Sequence, residues 1–169
     1  DYKDTIPQLF IYNSFIIESN GTESKIGSTF AGWEHFTDWK KINSEGEKGT
    51  ISLDTLIKGT CEKNRLLNLI ENFILFTKVE NNDVKIISKN HQFLGVQNAI
   101  ESLNKAGDKN KKLGVFWHTQ GSGKSISMMF LTQKILRKKE GDWTFIVVTD
   151  RKELDQQIYK SFLDSGIVK

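Results

Sequence analysis

The sequence predicts an α/β fold that begins a parallel sheet with flanking helices, and three observations carry the prediction. LGVFW (113–117) and TFIVVTD (144–150) are continuous apolar runs rather than alternations, the pattern of strands buried on both faces of a parallel sheet. Between them SISMMFLTQKILRKK (125–139) has helical spacing, so the order strand, helix, strand reads as a βαβ crossover. The turn from the first strand into that helix, HTQGSGK (118–124), is rich in glycine. Two strands do not finish such a sheet. The expected fold is therefore incomplete, with an uncovered edge and apolar face.

The elements before this unit follow from local chemistry. Between Gln8 and Glu18, LFIYNSFIIE is rich in β-branched and aromatic residues, and SNGTES after it holds Asn20-Gly21, which favours a tight turn, so a hairpin is expected. GWEHFTDWKK (32–41) reads as a short helical turn or loop whose tryptophans, Trp33 and Trp39, pack rather than stack on bases. INSEGEKGT (42–50) is polar, glycine-containing and exposed by expectation. SLDTLIKG (52–59) opens a helix on Ser52, a good cap. CEKNRLLNLIENFILF (61–76) spaces Leu66, Leu67, Ile70, Phe73 and Ile74 by three and four, which predicts a core-facing helix. FTKVENNDVKIIS (76–88) has two β-prone pieces around an Asn-Asn-Asp turn. NHQFLGVQNAIESLNKAG (90–107) then shows helical spacing at Phe93, Val96, Ile100 and Leu103, with an end at Gly107. RKELDQQIYKSFLDSG (151–166) closes the series as a helix.

Composition bounds the classes. Hydrophobic residues at 37% and charged residues at 27% suit a soluble globular chain, and no apolar run approaches the roughly 18 residues of a membrane span. The start, DYKDTIPQLF, has no signal-peptide pattern, and the single Cys61 has no partner for an internal disulfide, so a cytoplasmic location without a membrane is expected. Lys+Arg at 24 against Asp+Glu at 21 gives +3, too little to argue for nucleic acid by itself. The lysines of DKNKKLG (108–114) and LRKKEG (136–141) read as solvated loops or helix ends.

WHTQGSGKS (117–125) carries the chemistry. A triphosphate loop needs glycines so that backbone N–H groups turn toward phosphate, a lysine for the β and γ phosphates, and a hydroxyl for Mg²⁺. Gly121, Gly123, Lys124 and Ser125 supply them between an apolar strand and a helix N-terminus, where a flexible linker has no place. The expected nucleotide-binding residues are Thr119, Gln120, Gly121, Ser122, Gly123, Lys124 and Ser125, the backbone of Gln120 to Gly123 forming the cradle, with ATP and Mg²⁺ as ligands, Lys124 as the catalytic group and Ser125 as the metal ligand. His118 stands where the usual motif has its first glycine. That position precedes the phosphate contacts and has no need of unusual backbone angles, so His118 reads as structural, with a catalytic role as the alternative.

WHTQGSGKS closely resembles the first helicase motif of the motor (R) subunit of type I restriction-modification enzymes, a superfamily 2 helicase-like group in which that first glycine is usually replaced. VVTDRKELDQQIYKSF (147–162) resembles the next motif, and KNHQFLGVQNAI (89–100) the segment with the adenine-reading glutamine, here Gln92, with Lys89 where arginine is more usual. YKDTIPQLFIYNSFIIESNG (2–21) and GSTFAGWEHFTDWK (27–40) resemble the segment leading from the nuclease toward the motor, with Tyr2 as the tyrosine of a Q-x-x-x-Y element. The resemblance implies a RecA-like sheet. It divides the chain into the end of a restriction-type nuclease domain (1–45), a helical connector (46–88) and the first part of a helicase-like ATPase domain (89–169). It also implies that Gln92 bonds adenine, that Thr149, Asp150 and Arg151 touch the DNA backbone, and that Tyr2 orients DNA. For Thr149 and Asp150, helix capping is an equally physical reading.

The implied function is an ATP-dependent translocase and endonuclease acting on double-stranded DNA beside modification (methyltransferase) and specificity subunits. The chain would be a piece of that machine, inactive alone, because the nuclease acids would precede Asp1 and the acidic motor motif would follow Lys169; no D-E-x-H sequence occurs here. Two alternatives stand beside it: a small nucleotide-binding switch protein without DNA function, and a DNA-binding or assembly module with a vestigial loop.

Overall fold

The computed structural model describes residues 2–79, 82–106 and 112–167. After a short helix α1 (Tyr2–Thr5) and a 3-10 turn at Pro7–Phe10, strands β1 (Phe15–Ser19) and β2 (Ser24–Ser28) form the expected hairpin, beginning later than the apolar run suggests. Gly21 takes φ 89° at its turn, where Asn20 Oδ1 accepts from the N–H groups of Thr22 and Glu23. A 3-10 turn at Trp33–His35 leads into β3 (Thr37–Asp38), which extends the sheet to the order β1-β2-β3, antiparallel throughout.

Two helices follow. Ser52 caps α2 (Leu53–Thr60) as predicted, its Oγ accepting from the Thr55 N–H at 3.0 Å. The next, α3 (Lys63–Asn72), stops earlier than its spacing suggests, and the buried side carries Leu69, Asn72 and Phe73 while Leu67 and Ile70 face solvent. Ile74 belongs instead to β4 (Ile74–Val79), which pairs with β5 (Asn82–Ile87) as a second antiparallel hairpin. The strand competes for the end of the apolar pattern, and the helix rotates to put Leu69 and Phe73, one turn apart, into the core. Residues 80 and 81 lie outside the described set, as do Gly107, the expected end of the following helix, and most of the lysine-rich stretch after it, while Asn82 and Asp83 of the expected Asn-Asn-Asp turn belong to β5.

Three longer helices complete the chain: α4 (Asn90–Asn104), α5 (Lys124–Lys138) and α6 (Lys152–Ser165). All three fall where helices are expected, and Gly166 ends α6 in the left-handed conformation at φ 63°. Trp39, Phe73, Phe93 and Phe130 form the aromatic centre of the core. Phe93 lies 5.4 Å from Trp39 and 4.6 Å from Phe73, and Phe73 lies 5.7 Å from Phe130, centroid to centroid. Each such pair adds about 0.5–1.5 kcal/mol beyond the area it buries. Trp39 packs as expected, whereas Trp33 sits at the surface, stacked on Phe36 with Lys25 over its ring.

The expected βαβ crossover differs most from the structure. Residues 112–119 and 143–149 pair with no strand among the described residues, so no parallel sheet forms around α5. Val115 is 94% exposed, Ile146 85% and Val148 88%. The reason lies in α5, whose buried face packs chiefly on α4, with α3 and α6 beside it: Phe130 meets Phe73, and Gln133 donates to the carbonyls of Asn72 and Ile74 at 3.1 and 3.2 Å, where α3 passes into β4. A helix whose apolar face is taken up by other helices has little left to hold two strands on the same side. The architecture is α/β, with small antiparallel sheets and helices.

Candidate nucleotide-binding site

The loop 118–123 runs into the N-terminus of α5, and glycines shape it. Gly121 and Gly123 hold φ of 77° and 81°, a region costly for side chains with a Cβ, and Gly123 is the cap of α5. A Cβ on Gly123 would stand 2.7 Å from Gln92 Nε2, whereas one on Gly121 would meet nothing within 4 Å. The first N–H groups of any helix lack partners in the helix itself, so the N-terminus of a 15-residue helix offers donors and a positive dipole end. Lys124 Nζ folds back over the loop and donates to the carbonyls of His118 and Thr119, both at 2.9 Å. An arriving phosphate would offer that ammonium a stronger, charge-assisted partner.

The N-terminal turn of α4 holds the loop from behind. Gln92 is 2% exposed, and its side-chain carbonyl accepts from the Lys89 N–H at 2.9 Å. Its Nε2 donates to the Gly123 carbonyl at 3.1 Å and the Ser122 carbonyl at 3.4 Å. The glutamine thus stays at the loop, with its amide engaged by loop backbone. His91 adds a second tie, Nε2 to the Ser122 carbonyl at 3.0 Å, so that nitrogen carries the proton. Burial lowers the His91 pKa below its ordinary value, against the opposite pull of the Ser122 carbonyl.

His118, which stands where the usual motif has a glycine, is tied into the fold through its side chain. Its side chain is 11% exposed, with Nε2 2.8 Å from Glu45 Oε1 and the ring edge-on to His91 and Phe116 at 4.8 and 4.6 Å. Beside it a cleft of about 430 Å³ is lined by Glu45, Gly95, Phe116, His118, Lys124 and Met128, among others. Gly95 permits the approach of the 113–118 segment to α4, since a Cβ there would stand 2.6 Å from the Phe116 ring. Among the described residues, His118 Nδ1 and Ser122 Oγ are buried without a hydrogen-bond partner, so the loop keeps polar atoms that a ligand or water could satisfy. Left-handed glycines, a movable lysine and an open helix N-terminus fit a phosphate chain with its Mg²⁺.

The remaining predicted residues stand apart. Thr149 Oγ1 donates to the Arg151 carbonyl at 3.4 Å, and Asp150 faces Arg151 at 3.9 Å in solvent. Arg151 is the N-cap of α6 and makes no side-chain cap bond, so neither Thr149 nor Asp150 caps that helix. Tyr2 is exposed. No hydrogen bond or ion pair among the described residues joins these four to the loop. Glu45 and His91 escape sequence reasoning, because only the fold brings position 45 against position 118.

A sequence model of the SWI2/SNF2 ATPase family matches residues 91–169. Over 171 aligned positions the chain is 38% identical to the type I restriction enzyme HindI endonuclease subunit of Haemophilus influenzae, covering 95% of this chain and 16% of that protein. It is 34% identical, over 93% of its length and 17% of the relative's, to the endonuclease subunit provisionally assigned to the type I restriction enzyme MjaIXP of Methanocaldococcus jannaschii. A more distant match, the type I restriction enzyme SauCOLORF180P endonuclease subunit of Staphylococcus aureus, is 25% identical over 95% of this chain and 16% of that protein. The chain therefore spans about a sixth of the length of the curated relatives it matches.

Proposed function

Because the chain belongs to the family of type I restriction enzyme endonuclease subunits, we propose that it is the ATP-binding front of a motor that moves double-stranded DNA and works with an endonuclease. The observation that carries this reading is the loop 118–125: two left-handed glycines and a lysine at the start of α5, inside the stretch that matches an ATPase family. The region from 89 onward is the front of the ATPase domain, 1–45 the end of the nuclease domain and 46–88 the connector between them. Segments 113–117 and 144–150 keep the unbroken apolar character of central strands in a parallel motor sheet.

In this reading Lys124 leaves the carbonyls of His118 and Thr119 for the β and γ phosphates, and the N–H groups of Thr119 to Ser125 line the phosphate chain. Ser125, half-buried on the first turn of α5, gives its hydroxyl to Mg²⁺, which when bound spreads the phosphate charge. Gln92 reaches adenine only by exchanging one of its loop bonds, which makes adenine binding and loop shape a single event. Thr149, Asp150 and Arg151, solvent-facing before α6, suit contact with the DNA backbone, and Tyr2 serves the nuclease side. Modification and specificity subunits are the expected partners.

A titration of the chain and of Lys124→Ala with a fluorescent ATP analogue and Mg²⁺ tests the reading, with hydrolysis followed with and without duplex DNA. Binding should weaken at least tenfold in the variant, since a charge-assisted contact contributes about 1.5–3 kcal/mol. Equal binding by both proteins would end the case for this loop.

A further inference from the structure

Glu45 lies 73 residues from His118 in sequence, yet its carboxylate meets the His118 ring at 2.8 Å. The loop that presents it is held at every corner. Glu47 accepts from the N–H groups of Ile42 and Asn43 at 2.9 and 3.0 Å, which hold its carboxyl below the usual carboxylate range. Arg65 donates to the Ile42 carbonyl and to Asn43 Oδ1 at 2.5 and 2.7 Å, and Lys41 Nζ donates to the Glu45 carbonyl. Asn90, on the first turn of α4, brackets the base of the loop through the backbone of Lys40 and Lys41. The polar stretch 42–50 is a built platform.

On the other side of the contact, His118 supplies one of the two carbonyls on which Lys124 rests. A carboxylate only accepts, so His118 Nε2 carries a proton and donates it to Glu45 Oε1. We propose that Glu45 is a positioning residue of the phosphate loop: by fixing the His118 ring it sets the 118 and 119 carbonyls, and through them the place from which Lys124 meets phosphate. The role rests on the nucleotide-binding reading above. Glu45 touches no reacting atom and acts through His118. Its consequence is mechanical, because a displacement of the 42–47 platform moves the lysine, which couples the segment before α2 to the nucleotide.

The test compares the parent chain with Glu45→Ala, Glu45→Gln and Lys124→Ala, each checked by circular dichroism. Two readings are taken: affinity for a fluorescent non-hydrolysable ATP analogue with Mg²⁺, and hydrogen exchange of amides 118–123 without nucleotide. Glu45→Ala should bind about tenfold more weakly and exchange faster across the loop, the effect of losing one charge-assisted bond. Glu45→Gln keeps an acceptor for His118 and should remain within about threefold of the parent. Parent-like binding and exchange in Glu45→Ala, with binding lost in Lys124→Ala, would overturn the positioning role and leave the nucleotide reading intact. Equal losses in Glu45→Ala and Glu45→Gln would trace the effect to charge alone and overturn it as well. Unchanged binding in Lys124→Ala would remove the nucleotide reading, and the positioning role with it.

Discussion

Gly121 and Gly123 sit two residues apart with nearly the same φ, and the structure predicts that alanine will affect them unequally. At either site a Cβ in the left-handed region costs about 1–2 kcal/mol. At Gly121 that is the whole effect, for the new methyl has open space. At Gly123 the methyl would stand 2.7 Å from Gln92 Nε2, so the buried glutamine must also give up its bonds to the Gly123 and Ser122 carbonyls. A lost buried bond adds about 1–1.5 kcal/mol. Gly123→Ala should therefore destabilise by about 4 kcal/mol and Gly121→Ala by about 1.5 kcal/mol. Urea unfolding followed by tryptophan fluorescence measures both. The double variant Gly123→Ala with Gln92→Ala isolates the contact, because without the glutamine amide the second alanine should cost no more than Gly121→Ala. Equal losses at the two glycines, or full additivity in the double variant, would refute the placement of Gln92 behind the loop.

Two further predictions concern the scaffold. Lys134, on α5, is buried among Asn68, Gln97 and the Phe73 ring, and burial, reinforced by Lys138, lowers its pKa from 10.5 to about 8. Between those values the unfolded chain binds more protons than the folded one, so stability should rise as pH climbs from about 8, with the penalty fully present below it. Lys134→Met should abolish that rise, worth on the order of 2 kcal/mol, in chemical denaturation profiles; parallel profiles for parent and variant would sink the idea. Ser52→Ala removes the acceptor for the Thr55 N–H and should cost about 1 kcal/mol, or roughly 2–4 °C in Tm, with Ser52→Asp restoring most of it. A calorimetric scan in which Ser52→Ala melts with the parent would show that the cap contributes nothing.

Local signals in the chain were legible where one short segment contains the whole cause. Asn20-Gly21 turns a hairpin, Ser52 starts a helix, Gly166 ends one, and Phe93 and Val96 mark the buried side of α4. Legibility failed where two causes compete for the same residues. The apolar spacing of 66–74 fits a helix, yet Ile74 has a strand partner in Ile87, and the pairing shortens the helix and turns its face. Segments 113–117 and 144–150 have the composition of buried strands, but a ladder needs a neighbour, and α5 gives its buried face chiefly to α4 and α3 instead.

The glycine-rich loop before α5 divides along the same line. The order of Gly121, Gly123, Lys124 and Ser125 before an apolar helix was determined by the sequence alone, because phosphate-loop chemistry depends on backbone freedom and spacing within a few residues. Tertiary structure decided what holds that loop: Gln92 and His91 from α4, and Glu45 against His118 across 73 residues. Hydrogen bonds between positions so far apart depend on how helices and loops pack, and no local pattern of residue types encodes that distance.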